Sequence, residues 1–254
     1  MHKLSIVIPA FNEEGRIKKT LIEYINYFDT NYLDVEIVVV TDGCVDQTPG
    51  IVDDLSTQHR CIKHIHPHHR LGKGGAVIEG FKAATGDIVG FLDGDGSVSP
   101  SDIFKLVKGL EDYDGVIASR WVQGANIRRH EPPARIVASR TFNILVRLLF
   151  GLPFKDTQCG AKFFRSSAIS SVINELGVTD WSFDIELLYR LMDKGFKIEE
   201  MPVIWEYKEG SKLDLKSVSA KMLISVLGLR IKTSSLAPLI PSWVADEVYK
   251  IMRY

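Results

Sequence analysis

The first half of the chain alternates between short apolar runs and longer segments in which apolar residues recur every three or four positions. The runs LSIVIPA and VEIVVVTD are continuous and rich in Val and Ile, which is typical of strands buried on both faces. The next predicted strands are CIKHIH, DIVGFLD and DGVIASR. Between the runs, the pattern predicts helices over residues 14–27, 47–59, 73–84 and 101–110. This order predicts an α/β fold, a mostly parallel twisted sheet flanked by helices on both faces.

The second half begins with a helix predicted over residues 132–150 and opened by prolines. A polar row recurs every four residues along it and therefore shares one side of the helix, opposite a broad apolar face. The row consists of Arg135, Ser139, Asn143 and Arg147.

A last helix is predicted over residues 214–231, with an apolar stripe along one side. The stripe consists of Leu215, Val218, Met222, Val226 and Leu229. Such a stripe usually packs on a core, but basic residues around it also suit a helix lying at a membrane interface. Those basic residues are Lys212, Lys216, Lys221, Arg230 and Lys232. We therefore predict a main domain over residues 1–210 and an amphipathic helical extension over residues 211–254, with peripheral membrane contact as one role for it.

Composition narrows the class of protein. A chain of 254 residues with 45% hydrophobic content can build one large α/β domain. A net charge of -1 argues against a surface that coats nucleic acid. The cysteines Cys44, Cys61 and Cys159 lack C-x-x-C spacing, which indicates reduced thiols and a cytoplasmic setting. We expect neither a leader peptide nor a spanning segment, because the chain enters a strand at once and no window reaches 18 apolar residues.

Polar clusters follow the predicted strands. PAFNEE follows the first, TDGCVDQT the second, DGDGS the one ending at Leu92, and SRW the next. Ligands of parallel sheets bind beyond the carboxyl ends of the strands. Asp93 and Asp95 alone could form a solvated turn. Their shared edge with the other clusters favours a site for a hard cation, Mg²⁺ or Mn²⁺, which carboxylate oxygens suit.

Two further segments carry charge that an anion could use. Lys73, in RLGKGGA, lies at a glycine-rich helix start, where backbone N–H groups favour an anion. Neither the Walker spacing nor a G-x-G-x-x-G fingerprint is present, which counts against a P-loop kinase and a dehydrogenase. Residues 120–165 hold nine basic and two acidic residues, either a solvated face or an anion-binding surface. The histidines of KHIHPHHR match no standard metal spacing, so we predict a solvated loop there.

In that order, the segments IVIPAFNEE, VVVTDGCVDQT, GKGGAVIEGFKAATGDIVGFLDGDGS, SRW, DTQCGAKFF and WSFDIELL resemble family 2 glycosyltransferases with the GT-A fold. The dolichyl- and polyprenyl-phosphate branch is the most similar, with its glucosyl members nearer than its mannosyl members. The resemblance implies inverting transfer of a hexose from a nucleotide diphosphate sugar. UDP-glucose is favoured as donor over GDP-mannose, and Mg²⁺ or Mn²⁺ is the implied cofactor. It also implies a peripheral position on the cytoplasmic face of a membrane.

The resemblance also implies roles for individual residues. Around the nucleobase and ribose it places Pro9, Phe11, Glu13 and Asp42. At the ribose, metal and diphosphate it places Asp93, Gly94 and Asp95, with Lys73 nearby. For the acceptor phosphate it implies Arg120, Arg135 and Ser139. Two departures are Thr41-Asp42-Gly43-Cys44, where relatives commonly have Asp-Asp-Gly-Ser, and Ser97, where mannosyl relatives often have Gln.

The nature of the acceptor decides whether a catalytic base is needed. A phosphate acceptor is already ionised and needs orientation, for which arginine is suited. A sugar hydroxyl would need a carboxylate base, and Asp184 is the first candidate, followed by Glu186. Both could instead be first-turn acids of a helix. The alternatives to a lipid acceptor are a soluble or polysaccharide acceptor, and a catalytically silent domain that binds nucleotide sugar.

Overall fold

The structure is a computed structural model that describes residues 2–31, 34–129, 131–207 and 215–234, with side chains of the last segment from residue 221 onward. The strands are β1 Leu4–Ala10, β2 Val35–Thr41, β3 Ile62–Ile65, β4 Ile88–Leu92, β5 Gly115–Ser119, β6 Asn126–Arg129, β7 Ala161–Arg165, β8 Ile198–Pro202 and β9 Ile204–Glu206. The helices are α1 Ile17–Thr30, α2 Thr48–Gln58, α3 Gly72–Ala83, α4 Pro100–Gly109, α5 Pro133–Phe150, α6 Ser166–Val172, α7 Phe183–Asp193 and α8 Leu215–Lys232.

A seven-stranded sheet forms the centre, in the order β3-β2-β1-β4-β7-β5-β8. Its strand pairs are parallel except those of β7, which runs antiparallel to both β4 and β5. β6 and β9 form a separate two-stranded sheet. The predicted α/β class and mostly parallel sheet are confirmed.

The sheet is buried on both faces, as the continuous apolar runs predicted. Along β1, Ile6 and Ile8 enter one core cluster, and Val7, which points the other way, enters a second. Helices α1, α2 and α4 pack over the first cluster, while α3 and α7 pack over the second. The strand ends are thereby held side by side at one edge.

The predicted helices lie close to the observed ones, and the largest difference has a clear cause. Helix α1 begins at Ile17, not at residue 14. The Glu14 N–H donates to Asp46, and the Glu14 carboxylate accepts from the Gln47 N–H. The segment between β1 and α1 is therefore bound to the loop after β2. These hydrogen bonds fix the position of Glu14.

Helices α5 and α8 pack against each other and expose apolar side chains. On α5, Asn143 of the polar row is buried, so that part of the row faces inward. On α8, Val226 and Leu229 are buried. The exposed side chains, here called the α5/α8 apolar set, are Val137, Ile144, Leu148, Leu223, Ile224, Leu227 and Ile231.

The described part of α8 is thus apolar on two sides, which differs from the amphipathic helix that we predicted. Residues 208–214, and the side chains of residues 215–220, lie outside the described residues. The domain boundary near residue 210 stays a prediction. Within the described residues, no helix has the length and apolarity needed to cross a bilayer.

Candidate active site

The D-x-D turn lies at the end of β4, against the neighbouring β1 and the loop before β7. The Asp93 N–H donates to the Gly160 carbonyl over 2.9 Å. A Cβ on Gly160 would lie 1.9 Å from Asp93 Oδ2, so only glycine leaves room for this carboxylate. Gly94 is buried, and a Cβ there would lie 3.5 Å from the Pro9 carbonyl. The turn is therefore held by backbone packing on two sides.

Asp95 and Ser97 complete a small oxygen-rich pocket with Asp93. The Ser97 N–H donates to Asp95 Oδ1 over 2.9 Å. Burial, and then the charge of Asp93, raises the pKa of Asp95. The Ser97 hydroxyl oxygen is buried without a hydrogen-bond partner and lines the same pocket, together with Tyr24 and Trp205.

These donors fit a hard divalent cation. Mg²⁺ and Mn²⁺ prefer oxygen ligands, and Mg²⁺ is typically bound by one or two carboxylates together with substrate phosphates. Two carboxylates of like charge lie in one pocket with an unsatisfied hydroxyl. Among the described residues, no group of three or more His, Cys, Asp or Glu side chains is placed to hold a metal ion. A cation here would complete its coordination with water molecules and, when the donor is bound, with phosphate oxygens.

Lys73 lies behind the acid pair and is largely buried. Its Nζ is 2.9 Å from Asp93 Oδ1 and 3.5 Å from Asp184 Oδ2. The Trp181 ring centroid is 5.2 Å from the same ammonium. Burial alone would lower the pKa of Lys73, but Asp184 and Asp93 outweigh burial and raise it. The structure thus brings the predicted Lys73 to the D-x-D pair as a cation.

The glycine-rich start of α3 differs from our expectation of a backbone anion site. The Gly72 N–H donates to Asp42 over 2.8 Å, and the Gly74 and Gly75 N–H groups donate to the Thr179 carbonyl. A Cβ on Gly74 would lie 2.5 Å from the Phe183 side chain. The glycines therefore allow close packing of α3 against the start of α7, and these N–H groups are occupied.

Asp42 and Thr41 end β2 in a dense hydrogen-bond network. Asp42 is buried, and its carboxylate accepts from the Leu71 and Gly72 N–H groups. Burial raises its pKa, partly offset by these two donors. Asp42 therefore caps α3 and positions the loop that carries Lys73.

The histidine segment is only partly the solvated loop that we predicted. Thr41 Oγ1 lies 2.8 Å from His64 Nε2 and 2.9 Å from His66 Nδ1. His64 Nδ1 is 2.6 Å from Asp53 Oδ1, and the His64 side chain is only 8% exposed. His64 is therefore a buried support for Thr41, and the solvated interpretation fits only the later part of the segment, where His68 and His69 are exposed.

The residues expected around the nucleobase line the ends of β1 and β2. Phe11 is 37% exposed, and the Arg70 guanidinium lies 3.7 Å from its ring centroid. Pro9 is half-buried within β1. The Glu13 carboxylate forms an ion pair with Arg16. Hydrogen bonding to Glu13 raises the pKa of Arg16, and the charges of Asp95 and Asp93 add to this rise.

Both candidate bases are buried and already paired. Asp184 is 0% exposed and forms an ion pair with Lys162, which is also 0% exposed, while its second oxygen faces Lys73. Glu186 accepts from the Gly177 and Val178 N–H groups and from Arg190. The first-turn interpretation fits Glu186 well, because its carboxylate holds the loop before α7.

The basic segment contributes a buried ion-pair cluster at the end of β5. Arg120 donates from Nε and a terminal nitrogen to the two oxygens of Asp156, at 2.8 and 3.0 Å. Glu131 lies 3.5 Å from Arg120 and 3.2 Å from Arg135. The structure therefore brings the two predicted arginines to one carboxylate. Ser139 is half-buried one turn further along α5.

The charges of this cluster are strongly coupled. Burial alone would raise the pKa of Asp156, but the charge and hydrogen bonds of Arg120 outweigh burial and lower it. Trp205 connects the cluster to the acid pair, because it lines the Asp95 pocket and its ring centroid is 5.1 Å from the Arg120 guanidinium.

Sequence reasoning did not single out several residues of this site. They are Arg16, Arg70, Glu131, Asp156 and Lys162. The sequence did carry a signal for Lys162, because it lies inside the apolar run AKFF. A lysine is seldom buried without a charged partner, so this position indicates a buried ion pair. Glu131 and Asp156 were visible only as the two acids of a basic segment. The spacing of four residues was a usable signal for the pair of Glu131 with Arg135, whereas nothing in the spacing connected either acid to Arg120.

Known proteins resemble this chain over most of its length. The family model described as glycosyl transferase family 2 matches residues 5–173. Glycosyltransferase AglD of Haloferax volcanii is 35% identical over 218 residues, which is 84% of this chain and 34% of AglD, so the chain spans about a third of that relative.

Two relatives of more similar length share the same name. The dolichyl-phosphate beta-glucosyltransferase of Saccharomyces cerevisiae is 32% identical over 247 residues, covering 89% of this chain and 74% of the relative. The protein of that name from Homo sapiens is 31% identical over 228 residues, covering 83% of this chain and 69% of the relative.

Solved structures support the fold. Glucosyl-3-phosphoglycerate synthase from Mycobacterium tuberculosis, crystallised with Mn²⁺, UDP and phosphoglyceric acid, superposes with a TM-score of 0.68. The match covers 90% of this chain and 78% of that one at 20% identity. This likeness confirms the predicted GT-A architecture.

Proposed function

The chain belongs to glycosyltransferase family 2, and we propose that it transfers glucose from UDP-glucose to the phosphate of a polyprenyl or dolichyl phosphate. The names of the yeast and human relatives support this acceptor and this sugar. The synthase that shares the fold was crystallised with UDP, which is consistent with a uridine donor.

The observation that carries the proposal is the contrast between the candidate bases and the arginines. Asp184 and Glu186 are buried and paired, so neither is placed to take a proton from a hydroxyl acceptor. Arg120 and Arg135 instead converge on a single carboxylate, that of Glu131. An ionised phosphate needs no base and matches the guanidinium fork. A phosphate acceptor therefore fits this site better than a sugar hydroxyl.

The donor would lie along the ends of β1, β2 and β4. Phe11 offers a half-exposed ring for the base, with Arg70 over it. Asp42 holds the loop that supplies Lys73. Asp93 and Asp95, with the Ser97 hydroxyl beside them, would hold Mg²⁺ or Mn²⁺. When bound, this cation neutralises the diphosphate and stabilises it as a leaving group.

The reaction is a single displacement. A phosphate oxygen of the acceptor attacks the anomeric carbon, the bond from that carbon to the donor diphosphate breaks, and the configuration inverts. Arg120 and Arg135 would orient the attacking phosphate from the side of Trp205, while Lys73 adds positive charge near the diphosphate. No proton transfer is required, which agrees with the paired state of Asp184.

The lipid acceptor gives the α5/α8 apolar set a role as the contact with a membrane. Leu148 is 79% exposed and Val137 is 64% exposed, on the helix that also carries Arg135 and Ser139. Burying such side chains contributes roughly 1 kcal/mol or more each. Peripheral binding at the cytoplasmic face would present the lipid phosphate to the arginines while its chain stays in the bilayer.

The test is transfer of radiolabelled glucose from UDP-glucose with Mn²⁺ and a short polyprenyl phosphate. We expect butanol-extractable label with the phosphate and none with the matching polyprenol, because the alcohol lacks the group that the arginines bind. GDP-mannose in place of UDP-glucose is the donor control. Water-soluble labelled glycoside would refute the lipid acceptor. Donor binding without any transfer would instead identify a silent nucleotide-sugar-binding domain.

A further inference from the structure

Lys73 occupies a position between two carboxylates of different kinds. Asp93, at 2.9 Å, belongs to the D-x-D pair and is reachable from the donor pocket. Asp184, at 3.5 Å, is fully buried in the first turn of α7. The ammonium carries three donors and is held between these two acceptors.

The buried carboxylate has an unused bonding position directed at this ammonium. Asp184 Oδ1 is bound by Lys162, whose Nζ also donates to the Cys159 carbonyl over 2.6 Å. Asp184 Oδ2 is buried and makes no hydrogen bond. A buried acceptor without a donor is costly. The oxygen therefore gains from any shift of the Lys73 ammonium toward it.

A divalent cation and the Lys73 ammonium would share one carboxylate at Asp93. Two cations bound to one carboxylate repel each other, and the burial of the Lys73 side chain strengthens this repulsion. Asp95, the other carboxylate of the pair, has no ammonium on it among the described contacts and bonds to the Ser97 N–H. The conflict therefore concentrates on Asp93, and Lys73 is the group that can move.

We propose that Lys73 is a resident counter-cation that a divalent metal displaces from Asp93, and that the ammonium then moves closer to Asp184 Oδ2, which is already 3.5 Å away. The inference rests on the proposed metal-dependent function and deepens it, because it makes metal affinity adjustable through residues that do not touch the metal. Lys162 is a positioning residue in this exchange, since it fixes Asp184 from the opposite side.

The exchange predicts that removing the Lys73 charge increases the affinity for Mn²⁺. A damaged fold would lower this affinity. Lys73→Met keeps the length of the side chain and removes the competing charge. We expect it to bind Mn²⁺ at least about tenfold more tightly, because one nearby charge commonly changes ionic affinity by that factor or more. Glucose transfer by the same variant should fall, since Lys73 also faces the diphosphate.

Mn²⁺ binding to the full chain, without donor, is measured by the loss of the free-ion electron paramagnetic resonance signal. Lys82→Met is the matched control, because Lys82 lies on the same helix α3, is exposed, and pairs only with Glu79 in the described contacts. The control should bind Mn²⁺ as the wild type does. Equal or weaker Mn²⁺ binding by Lys73→Met would overturn the exchange.

A second measurement uses the wild-type protein and so does not depend on a variant folding. In a crystal with Mn²⁺ and UDP, Lys73 Nζ should lie within hydrogen-bond distance of Asp184 Oδ2 and no longer contact Asp93. A lysine still bound to Asp93 beside the metal would overturn the exchange. Failure of the exchange with glucose transfer intact leaves the proposed function standing, whereas loss of the function would appear as absent transfer in the label assay.

Discussion

The proposed donor side and the proposed acceptor side of this site hold their charges in opposite ways. On the donor side, Asp93 and Asp95 lie together at the end of β4, and burial with mutual repulsion raises the pKa of Asp95. On the acceptor side, Arg120 is bound by Asp156 and approached by Glu131. The first region brings two carboxylates of like charge into one pocket, with the Lys73 ammonium paired to Asp93, whereas the second pairs its largely buried arginine with largely buried carboxylates.

This difference distinguishes residues that are retained for binding from residues that stabilise the fold. A carboxylate whose charge is disfavoured by the fold costs stability and is retained for what it binds. A buried arginine that neutralises a buried aspartate supports the fold first, whatever else it contacts. Equivalent substitutions on the two sides should therefore have opposite effects on stability.

Arg120→Met should give the largest change in stability. It leaves Asp156 buried without its partner, and breaking a buried pair costs about 3–5 kcal/mol. The free energy of unfolding is measured by urea denaturation. In Arg120→Met/Asp156→Asn much of the loss should be recovered, because no charge is left unpaired. A single variant as stable as the wild type would contradict the structural role of this pair.

Asp95→Asn should have the opposite profile. It removes an ionised group whose pKa is raised in the fold, so the melting temperature without metal should rise at neutral pH, and the rise should shrink on acidification. Glucose transfer should fall at least about a hundredfold, the typical cost of losing one electrostatic stabiliser.

The matched control for Asp95→Asn is Asp93→Asn, which removes a carboxylate paired with Lys73 and should not raise the melting temperature. A lower melting temperature for Asp95→Asn would contradict the contrast between the two sides.

Arg135→Met tests the acceptor side with less risk to the fold, since Arg135 is more exposed than Arg120. Losing hydrogen bonds to a charged group costs about 1.5–3 kcal/mol, so KM for polyprenyl phosphate should rise more than tenfold. The Kd for UDP, measured by calorimetry, should stay unchanged. Glu131→Gln should lower that KM, because it removes the carboxylate that competes with the phosphate. Equal losses of donor and acceptor binding would refute the assignment.

The pH dependence of stability tests the Arg120–Asp156 pair without any acceptor substrate. The pKa of Asp156 is lowered in the folded chain, so the pair contributes its full stability above the pKa of an unfolded aspartate, which is about 4. This contribution is lost as the pH falls from that value through the lower pKa of the folded state. The free energy of unfolding should therefore decline less steeply below about pH 4 in Arg120→Met/Asp156→Asn than in the wild type. Parallel declines in the two proteins would contradict the lowered pKa.

The smallest effect concerns the exposed helices. Replacing both Ile144 and Leu148 by Ser should weaken binding to anionic vesicles, since each substitution removes about 1 kcal/mol or more of apolar burial in the bilayer. Thermal stability should change little, because both side chains are exposed. Flotation with liposomes measures the binding. Undiminished flotation would exclude this surface as the membrane contact.

Local pattern was enough to predict most of the fold, because the strands are buried on both faces and the helices between them are clearly periodic. The same pattern could not reveal β7 as a strand, since its apolar run is interrupted by Lys162. Lys162 is tolerated there only because Asp184, 22 residues away in the chain, meets it in the core.

The site also contains residues that local sequence predicted and residues that it did not. Asp93 and Asp95 were predictable because they follow a strand end, and parallel topology brings such ends to one edge. Lys73 was predictable from its place at a glycine-rich helix start. The partners of Arg120 were not, because Asp156 and Glu131 meet it through loops whose paths no periodicity specifies. The glycine-rich start of α3 was visible in the sequence, but its reason was not. The structure shows that Gly74 leaves room for the Phe183 side chain.

Strand β7 runs antiparallel to β4 and β5. The segment before it, residues 156–160, therefore lies at the edge of the sheet where β4 and β5 end. Within that segment Asp156 binds Arg120, which we propose to hold the acceptor. Gly160 makes room for Asp93, which we propose to hold the metal. Lys162, the second residue of β7, pairs with Asp184 in the core behind them. The number of residues in this segment therefore sets the spacing between the proposed donor and acceptor groups. Adding or deleting a single residue there would separate two intact half-sites, leaving an enzyme able to bind each partner and unable to join them.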